Sequence, residues 1–173
     1  TCIFISGKGT NLNNLIKKSR DYNFPINIKL VISNKKNAMG IKYARKNSIP
    51  IFIVNTKFRN YEDLILQVLK KKRINFICLA GYMKILSAKF LKRFGKKIIN
   101  IHPSLLPKYK GLNTHQRVIN KNEKYSGCTV HLVSAKLDSG RIILQKKVKV
   151  FKNDSSKSLA KRVLKQEHIL YSK

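Results

Sequence analysis

Short runs of apolar, mostly β-branched residues recur along the chain at regular intervals, and they predict strands. The runs cover residues 3–5, 28–32, 51–54, 76–79, 98–101, 129–133 and 142–150. The first five runs are continuous, which is typical of strands covered on both faces. In the last two, apolar and polar residues alternate, which indicates an edge strand or an antiparallel pair.

Segments with helical spacing of apolar residues separate the early strands. They cover residues 11–19, 40–47 and 61–72, and a last amphipathic segment covers 156–170. Strands that alternate with helices predict an open, mostly parallel, doubly wound α/β sheet with helices on both faces. The alternation in the second half adds antiparallel strands there. Residues 1–173 are expected to form a single domain.

Composition changes this picture mainly through charge. The 173 residues include 38 Lys and Arg but only 7 Asp and Glu, which gives a formal net charge of +31. Such a charge suggests a polyanionic partner such as nucleic acid. The lysines, however, are spread over every segment and no nucleic-acid motif accompanies them. A basic nucleic-acid-binding module is therefore kept only as a remote alternative.

Cysteine usage and hydropathy give an expectation for the compartment. Cys2, Cys78 and Cys128 are widely spaced and form no Cys-x-x-Cys pair. Free cysteines fit a reducing environment, and no apolar stretch is long enough to span a bilayer. We therefore expect a cytoplasmic protein without a membrane partner.

The first candidate site is a glycine-containing turn between the first strand and the first helix. It reads Ser6-Gly7-Lys8-Gly9-Thr10-Asn11. Glycine lets the backbone approach a ligand closely, and a helix N-terminus attracts anions. The motif is neither a P-loop nor a complete dinucleotide fingerprint. Two interpretations stay open: a phosphate cradle, or a plain glycine turn with Thr10 as the helix N-cap.

The second candidate site lies at the end of the fifth predicted strand. Asn100 and His102 are two residues apart, so on a strand their side chains point the same way. Ligands of open α/β sheets bind at this edge. An Asn amide can stabilise an oxyanion, and a His can transfer a proton. The alternative is a strand-ending His that only hydrogen-bonds a loop.

Asp138 is the natural candidate to orient and charge His102, because the chain contains so few acids. It lies in a Leu-Asp-Ser-Gly turn between two strands, where Asp is also ordinary turn chemistry. His131 is interpreted as a packing or supporting residue of its strand, and His115 as a capping or substrate-contacting residue. No spacing of His, Cys, Asp and Glu resembles a metal site, and no metal is expected.

Several segments together resemble the phosphoribosylglycinamide formyltransferase (GAR transformylase) family of folate-dependent enzymes. They are Ser6-Gly7-x-Gly9-Thr10-Asn11-Leu12, Ser33-Asn34-Lys35, Ala80-Gly81-Tyr82-Met83-Lys84-Ile85-Leu86-Ser87, Asn100-Ile101-His102-Pro103-Ser104-Leu105-Leu106-Pro107-Lys108-Tyr109-x-Gly111, Gly127-x-Thr129-Val130-His131, Leu137-Asp138-x-Gly140 and Gln166-Glu167-His168. Their order and spacing make the resemblance specific. It implies the same open, mostly parallel α/β fold.

The resemblance also implies a reaction and a set of site residues. The reaction transfers a formyl group from 10-formyltetrahydrofolate to the amine of glycinamide ribonucleotide in de novo purine biosynthesis. Catalysis would rest on Asn100, His102 and Asp138. The phosphoribosyl substrate would meet Gly9, Thr10, Asn11, Lys165, Gln166 and Glu167. The folate would meet Arg59, Met83, Lys84, Ile85, Leu86, Asn100, Ser134, Ala135, Lys136, Leu137 and Asp138.

Other expectations follow from the same resemblance. The partners would be two small molecules and no specific nucleic acid, and the protein would be a monomer or a weak homodimer. The family's C-terminal tail is expected to be missing after Lys173. The alternatives within the same chemistry are methionyl-tRNA formyltransferase and formyltetrahydrofolate deformylase.

Overall fold

Strands and helices alternate through the first part of the chain. The computed structural model describes residues 1–173, whose contacts divide them into two compact units, Thr1–Ile99 and Asn100–Lys173. The elements of the first unit are β1 (Cys2–Ile5), α1 (Thr10–Lys18), β2 (Leu30–Ser33), α2 (Ile41–Lys46), β3 (Ile51–Ile53), α3 (Tyr61–Lys71), β4 (Phe76–Leu79) and α4 (Ala88–Phe94). Strand β5 (Lys97–His102) crosses the boundary, followed by α5 (Thr114–Asn120), β6 (Tyr125–Leu132), β7 (Ile142–Lys149) and α6 (Ser156–Leu170).

The strands form a seven-stranded sheet in the order β3-β2-β1-β4-β5-β6-β7. Strand β1 pairs in parallel with both β2 and β4, and β2 pairs in parallel with β3. Strands β6 and β7 are antiparallel. The predicted fold, an open and mostly parallel sheet with antiparallel strands in the second half, is therefore confirmed.

The core of the first unit follows from its apolar runs. All four residues of β1 and all four of β2 are buried, as expected for central strands of a parallel sheet. Strand β3 was expected to be covered on both faces, but it is the edge strand and Ile53 is 39% exposed. The free cysteines Cys2, Cys78 and Cys128 are all buried.

Strand β6 and helix α4 are two of the elements that differ from the sequence prediction. Strand β6 begins at Tyr125, four residues before the predicted start, because residues 125–128 pair with β7 although Ser126 and Gly127 interrupt the apolar pattern. A Cβ atom on Gly127 would lie 2.1 Å from the Lys146 carbonyl oxygen, so close strand packing requires glycine there. Helix α4 was not predicted, although Ser87 caps it and Gly95 ends it in the left-handed conformation.

No helix of the structure combines the length and the apolar character that crossing a membrane would require.

The turn before α1 is fixed by contact between two glycines. Gly9 has φ +71°, and a Cβ atom on it would lie 2.4 Å from the Cα atom of Gly40. Gly40 precedes α2, and its amide donates to the Gly7 carbonyl at 3.0 Å. Glycine at position 9 therefore has a packing role inside the first unit, whatever ligand the turn binds.

We predict that Gly9→Ala lowers the free energy of unfolding by roughly 2–5 kcal/mol, because it adds left-handed strain to a backbone clash. Urea unfolding measures this. Gly81→Ala has the same kind of φ (+75°) with open space around it, so it should cost only about 1–2 kcal/mol. Gly7→Ala is the control without either feature. Equal stabilities of the three variants would contradict the packing role of Gly9.

Candidate active site

His102 is the buried polar residue at the end of β5, and only 5% of it is exposed. Its Nε2 atom lies 2.9 Å from the carbonyl oxygen of Tyr109. Its Nδ1 atom lies 3.3 Å from Oδ2 of Asp138. Both neighbours can only accept protons, so a ring that carries protons on both nitrogens matches both. The arrangement therefore presents an acceptor to each ring nitrogen.

Asp138 reaches the ring from the turn between β6 and β7. Its backbone is left-handed with φ 45°, a conformation that Asp tolerates better than most residues. The Gly111 amide donates to its Oδ2 atom at 2.9 Å, and the side chain is 9% exposed. The turn that was predicted for this segment thus brings Asp138 to His102, as the sequence argument expected.

Asn100 is positioned by His131, its neighbour on β6. The Nδ1 atom of His131 lies 2.8 Å from the Leu132 carbonyl, which can only accept, so Nδ1 carries the proton. In the neutral ring Nε2 then accepts from the Asn100 amide nitrogen at 3.1 Å. This fixes which end of the Asn100 side chain is the donor, and it leaves the second N–H of the amide available.

Burial lowers the pKa of His131, although the Leu132 carbonyl and the Asp138 carboxylate oppose that effect. Neutral His131 is the form that the contact with Asn100 needs. Sequence reasoning gave His131 only a packing or supporting role. The sequence signal was the position of His131 between Val130 and Leu132, which does not identify its partner. The tautomer of His131 depends on a backbone carbonyl that the sequence does not show.

His115 is the second residue of α5, and the N-cap of this helix is Asn113, whose backbone is left-handed. Its Nδ1 atom is buried and has no hydrogen-bond partner. Burial, and secondarily the charge of His102, lower the pKa of His115. His115 is therefore a neutral ring in the second unit, and the structure gives it no capping contact.

The segment 134–138 combines exposed side chains with one that is turned inward. Ala135, Lys136 and Leu137 are exposed, and Leu137 is 48% accessible. The Ser134 hydroxyl donates to the Lys136 carbonyl at 3.1 Å and shapes the turn. Of this predicted folate segment, Asp138 is the residue that contacts the His102 ring.

The late segment on α6 does not present one common face. Lys165 is exposed, Gln166 is half-buried, and Glu167 is only 8% exposed. Residues two apart on a helix point to nearly opposite sides, so Lys165 and Glu167 cannot face the same ligand in the same way.

Burial and the nearby Glu167 charge raise the pKa of Cys128 to about 12, which leaves that thiol protonated.

In the first unit, the candidate phosphate turn ends at the N-terminus of α1. The N-cap residue is Gly9, and no side chain caps the helix. Thr10 is the first helical residue, so the interpretation of Thr10 as N-cap is wrong. Asn11 is buried. An N-terminus without a side-chain cap keeps the anion-attracting property on which the phosphate interpretation depends.

Ser6 connects this turn to the predicted folate segment 83–86. Its hydroxyl donates to Asn34 Oδ1 at 2.6 Å and accepts from the Met83 amide at 2.7 Å. Its own amide donates to the Gly81 carbonyl at 3.1 Å. One buried hydroxyl therefore holds together the ends of β1, β2 and β4.

The side chains of segment 83–86 differ in exposure. Met83 and Ile85 are 57% and 59% exposed, whereas Leu86 lies in the core. Lys84 is also exposed. Arg59 lies on the surface in the turn before α3, where no hydrogen bond fixes it. Exposed apolar side chains are suited to cover an aromatic ligand, and Leu86 supports them from inside.

The structure contains no group of three or more His, Cys, Asp or Glu side chains that could hold a metal ion.

The chain matches a known protein family. The family model described as formyl transferase matches residues 1–173. The chain therefore belongs to the formyl transferase family.

Within that family, the chain is similar to proteins of purine biosynthesis. It is 44% identical over 173 residues to phosphoribosylglycinamide formyltransferase of Haemophilus influenzae. This match covers 98% of this chain and 82% of that protein. It is 40% identical over 173 residues to the human trifunctional purine biosynthetic protein adenosine-3, covering 98% of this chain but 17% of that protein.

A crystal structure of phosphoribosylglycinamide formyltransferase from Anaplasma phagocytophilum superposes with a TM-score of 0.92 at 41% identity. The match covers 99% of this chain and 82% of that one. The family resemblance that the motifs predicted is confirmed.

We predict that the free energy of unfolding falls as pH is lowered from about 7.5 to about 5. Burial lowers the pKa of His131 and of His115 in the folded state below the value that each has in the unfolded chain. The unfolded state therefore binds more protons below about pH 6.5. Urea unfolding in about 0.5 M salt measures this while screening general charge repulsion. The slope should be smaller in His131→Asn, and identical slopes in the two proteins would contradict the assignment.

Proposed function

We propose that this chain transfers a formyl group from 10-formyltetrahydrofolate to the amine of glycinamide ribonucleotide, in de novo purine biosynthesis. The observation that carries the proposal is the buried His102 ring between the Tyr109 carbonyl and the Asp138 carboxylate. Its supporting evidence is membership of the formyl transferase family and similarity to relatives named for this reaction. The folate is a co-substrate, and no metal takes part.

The amine attacks the formyl carbon, and the carbonyl electron pair moves to oxygen. The resulting tetrahedral oxyanion needs donors, which are the protonated His102 ring and the second N–H of Asn100. Each such donor is typically worth ~3–4 kcal/mol in the transition state. An oxyanion is a stronger acceptor than a neutral carbonyl, so it competes with the Tyr109 carbonyl for the Nε2 proton of His102.

The intermediate then collapses. The bond between the formyl carbon and the folate nitrogen breaks, and the electron pair of that bond goes to the nitrogen. That nitrogen takes a proton that His102 supplies directly or through water. The attacking amine loses one proton to water, and a proton from water restores His102. Asp138 keeps a negative charge beside the ring throughout and stabilises its charged form.

The substrates are assigned to the residues that the resemblance implies. The phosphate of glycinamide ribonucleotide binds at Gly9, Thr10 and Asn11, where the N-terminus of α1 has no side-chain cap. The same substrate meets Lys165, Gln166 and Glu167, with Glu167 in a supporting position because it is buried. By the same resemblance, the residues assigned to the folate are Arg59, Met83, Lys84, Ile85, Leu86, Asn100 and the 134–138 segment.

Two related activities use the same chemistry on other acceptors. Methionyl-tRNA formyltransferase formylates a polyanion, which the charge of +31 would suit, and formyltetrahydrofolate deformylase uses water. No contact in the structure favours either. We place the enzyme in the cytoplasm, as a monomer or weak homodimer.

The direct test incubates the protein with 10-formyltetrahydrofolate and, separately, glycinamide ribonucleotide, methionyl-tRNA or no acceptor. We expect the folate to be consumed rapidly only with glycinamide ribonucleotide, and the product to carry the formyl group. Equal consumption without an acceptor would identify a deformylase. Formylation of the tRNA alone would identify the other transferase.

We predict that His102→Asn lowers kcat by at least about 10²-fold while KM for both substrates stays within about threefold, because the ring acts on the transition state. Asp138→Asn keeps the shape of the side chain but removes its charge, and should lower kcat too. Steady-state kinetics measures both effects, and thermal unfolding checks that both variants are folded. A folded His102→Asn variant with near-normal kcat would refute the role of His102.

A further inference from the structure

Residues 109–112, which we call the Tyr109 loop, hold the His102–Asp138 pair through their backbone. The Tyr109 carbonyl accepts from His102 Nε2 at 2.9 Å, and the Gly111 amide donates to Asp138 Oδ2 at 2.9 Å. Neither contact uses a side chain of the loop. The path of the loop backbone therefore decides whether both contacts form.

That path needs external support. Tyr109 has φ 56°, in the left-handed region that a bulky residue rarely occupies, and Gly111 has φ 79°. A loop with this conformation persists only when surrounding contacts over-determine it. The contacts that do so lie outside the catalytic pair.

Glu123 and Arg117 hold the Tyr109 side chain. The Tyr109 hydroxyl donates to Glu123 Oε1 at 2.8 Å, and the Arg117 guanidinium lies 5.3 Å from the centre of the Tyr109 ring. Arg117 also donates to the Lys110 carbonyl at 2.6 Å. The ring is thus fixed at its hydroxyl end and over its face, and the backbone is held next to it.

Glu123 also accepts from Lys108 Nζ at 2.8 Å, but this ion pair is on the surface and the Lys108 side chain is 65% exposed. Hydrogen bonds from Lys108 and Tyr109 lower the pKa of Glu123, so it accepts as a carboxylate at neutral pH. Exposed ion pairs contribute little. The contact that matters for the loop is the one to the Tyr109 hydroxyl.

We propose that Glu123 is a positioning residue for catalysis, which acts through Tyr109 to hold His102 and Asp138 in their reactive geometry. The proposal rests on the proposed formyl transfer. When Glu123 is lost, the loop can leave its left-handed path, and His102 Nε2 loses its acceptor. The ring then samples other orientations, so kcat falls while substrate binding is retained.

The test compares kcat and KM of Glu123→Ala, Glu123→Gln and Tyr109→Phe with those of the wild type. We expect kcat to fall about 5–30-fold in Glu123→Ala and Tyr109→Phe, with KM for both substrates within about twofold. Glu123→Gln should recover most of the activity, because its amide oxygen can still accept from Tyr109. The double variant Glu123→Ala/Tyr109→Phe should be no slower than the slower single variant.

Two matched controls separate this effect from general charge loss. Lys108→Ala removes only the surface partner of Glu123, and Asp63→Ala removes a carboxylate whose partner is Arg93 in the first unit. Both should keep kcat within about twofold. A Glu123→Ala variant as active as these controls would overturn the proposal. A loss that Glu123→Gln does not recover would overturn it as well.

A second readout stays informative if the wild type transfers no formyl group, in which case the proposed function fails. The NMR signal of the His102 ring should move in Tyr109→Phe and Glu123→Ala and stay in place in Lys108→Ala. An unchanged His102 signal in Tyr109→Phe would overturn the positioning role independently of activity.

Discussion

The second unit is organised around one buried imidazole that lies between two acceptors. His102 meets the Tyr109 carbonyl on one side and the Asp138 carboxylate on the other. The side chains of His102 and Asp138 are at most 9% exposed. A neutral ring would turn one bare nitrogen towards an acceptor, whereas a charged ring satisfies both. Removing one partner of such a buried pair leaves an uncompensated group and is costly. The turn of Asp138 and the Tyr109 loop both keep this geometry.

The few acidic residues of this strongly basic chain have specific local partners. Asp138 serves His102, Glu123 serves Tyr109 and Lys108, and Glu62 accepts from Ser87 at the start of α4. Asp154 pairs with Arg162 and accepts from Ser158 on α6. The formal charge of +31 thus reflects an excess of dispersed Lys and Arg, whereas the carboxylates that remain are each part of a defined contact.

Much of this architecture could be predicted from the sequence. Continuous β-branched runs identify the central strands, and the predicted bounds of β4 and α6 match the structure residue for residue. The two-residue spacing of Asn100 and His102 indicates a shared face, and the scarcity of acids points to Asp138. These signals are local or compositional, so a single sequence contains them.

Other features depend on backbone contacts that the sequence does not encode locally. The Thr10 cap was wrong because Gly9 takes the cap position and packs on Gly40, a residue 31 positions away. His102 contacts the backbone carbonyl of Tyr109, and every residue type has such a carbonyl. The identity of residue 109 therefore does not predict the contact. The role of Glu123 follows only after that carbonyl is located.

The protonation state of the His102 ring tests this account most directly. Long-range ¹H–¹⁵N spectra of protein labelled at histidine report whether each ring nitrogen carries a proton. We expect the Nε2 atom of His102 to carry a proton, because it lies 2.9 Å from the Tyr109 carbonyl, whereas His131 should show a protonated Nδ1 and a bare Nε2. A bare Nε2 on His102 in the folded protein would contradict the central claim, because it could not donate to the Tyr109 carbonyl.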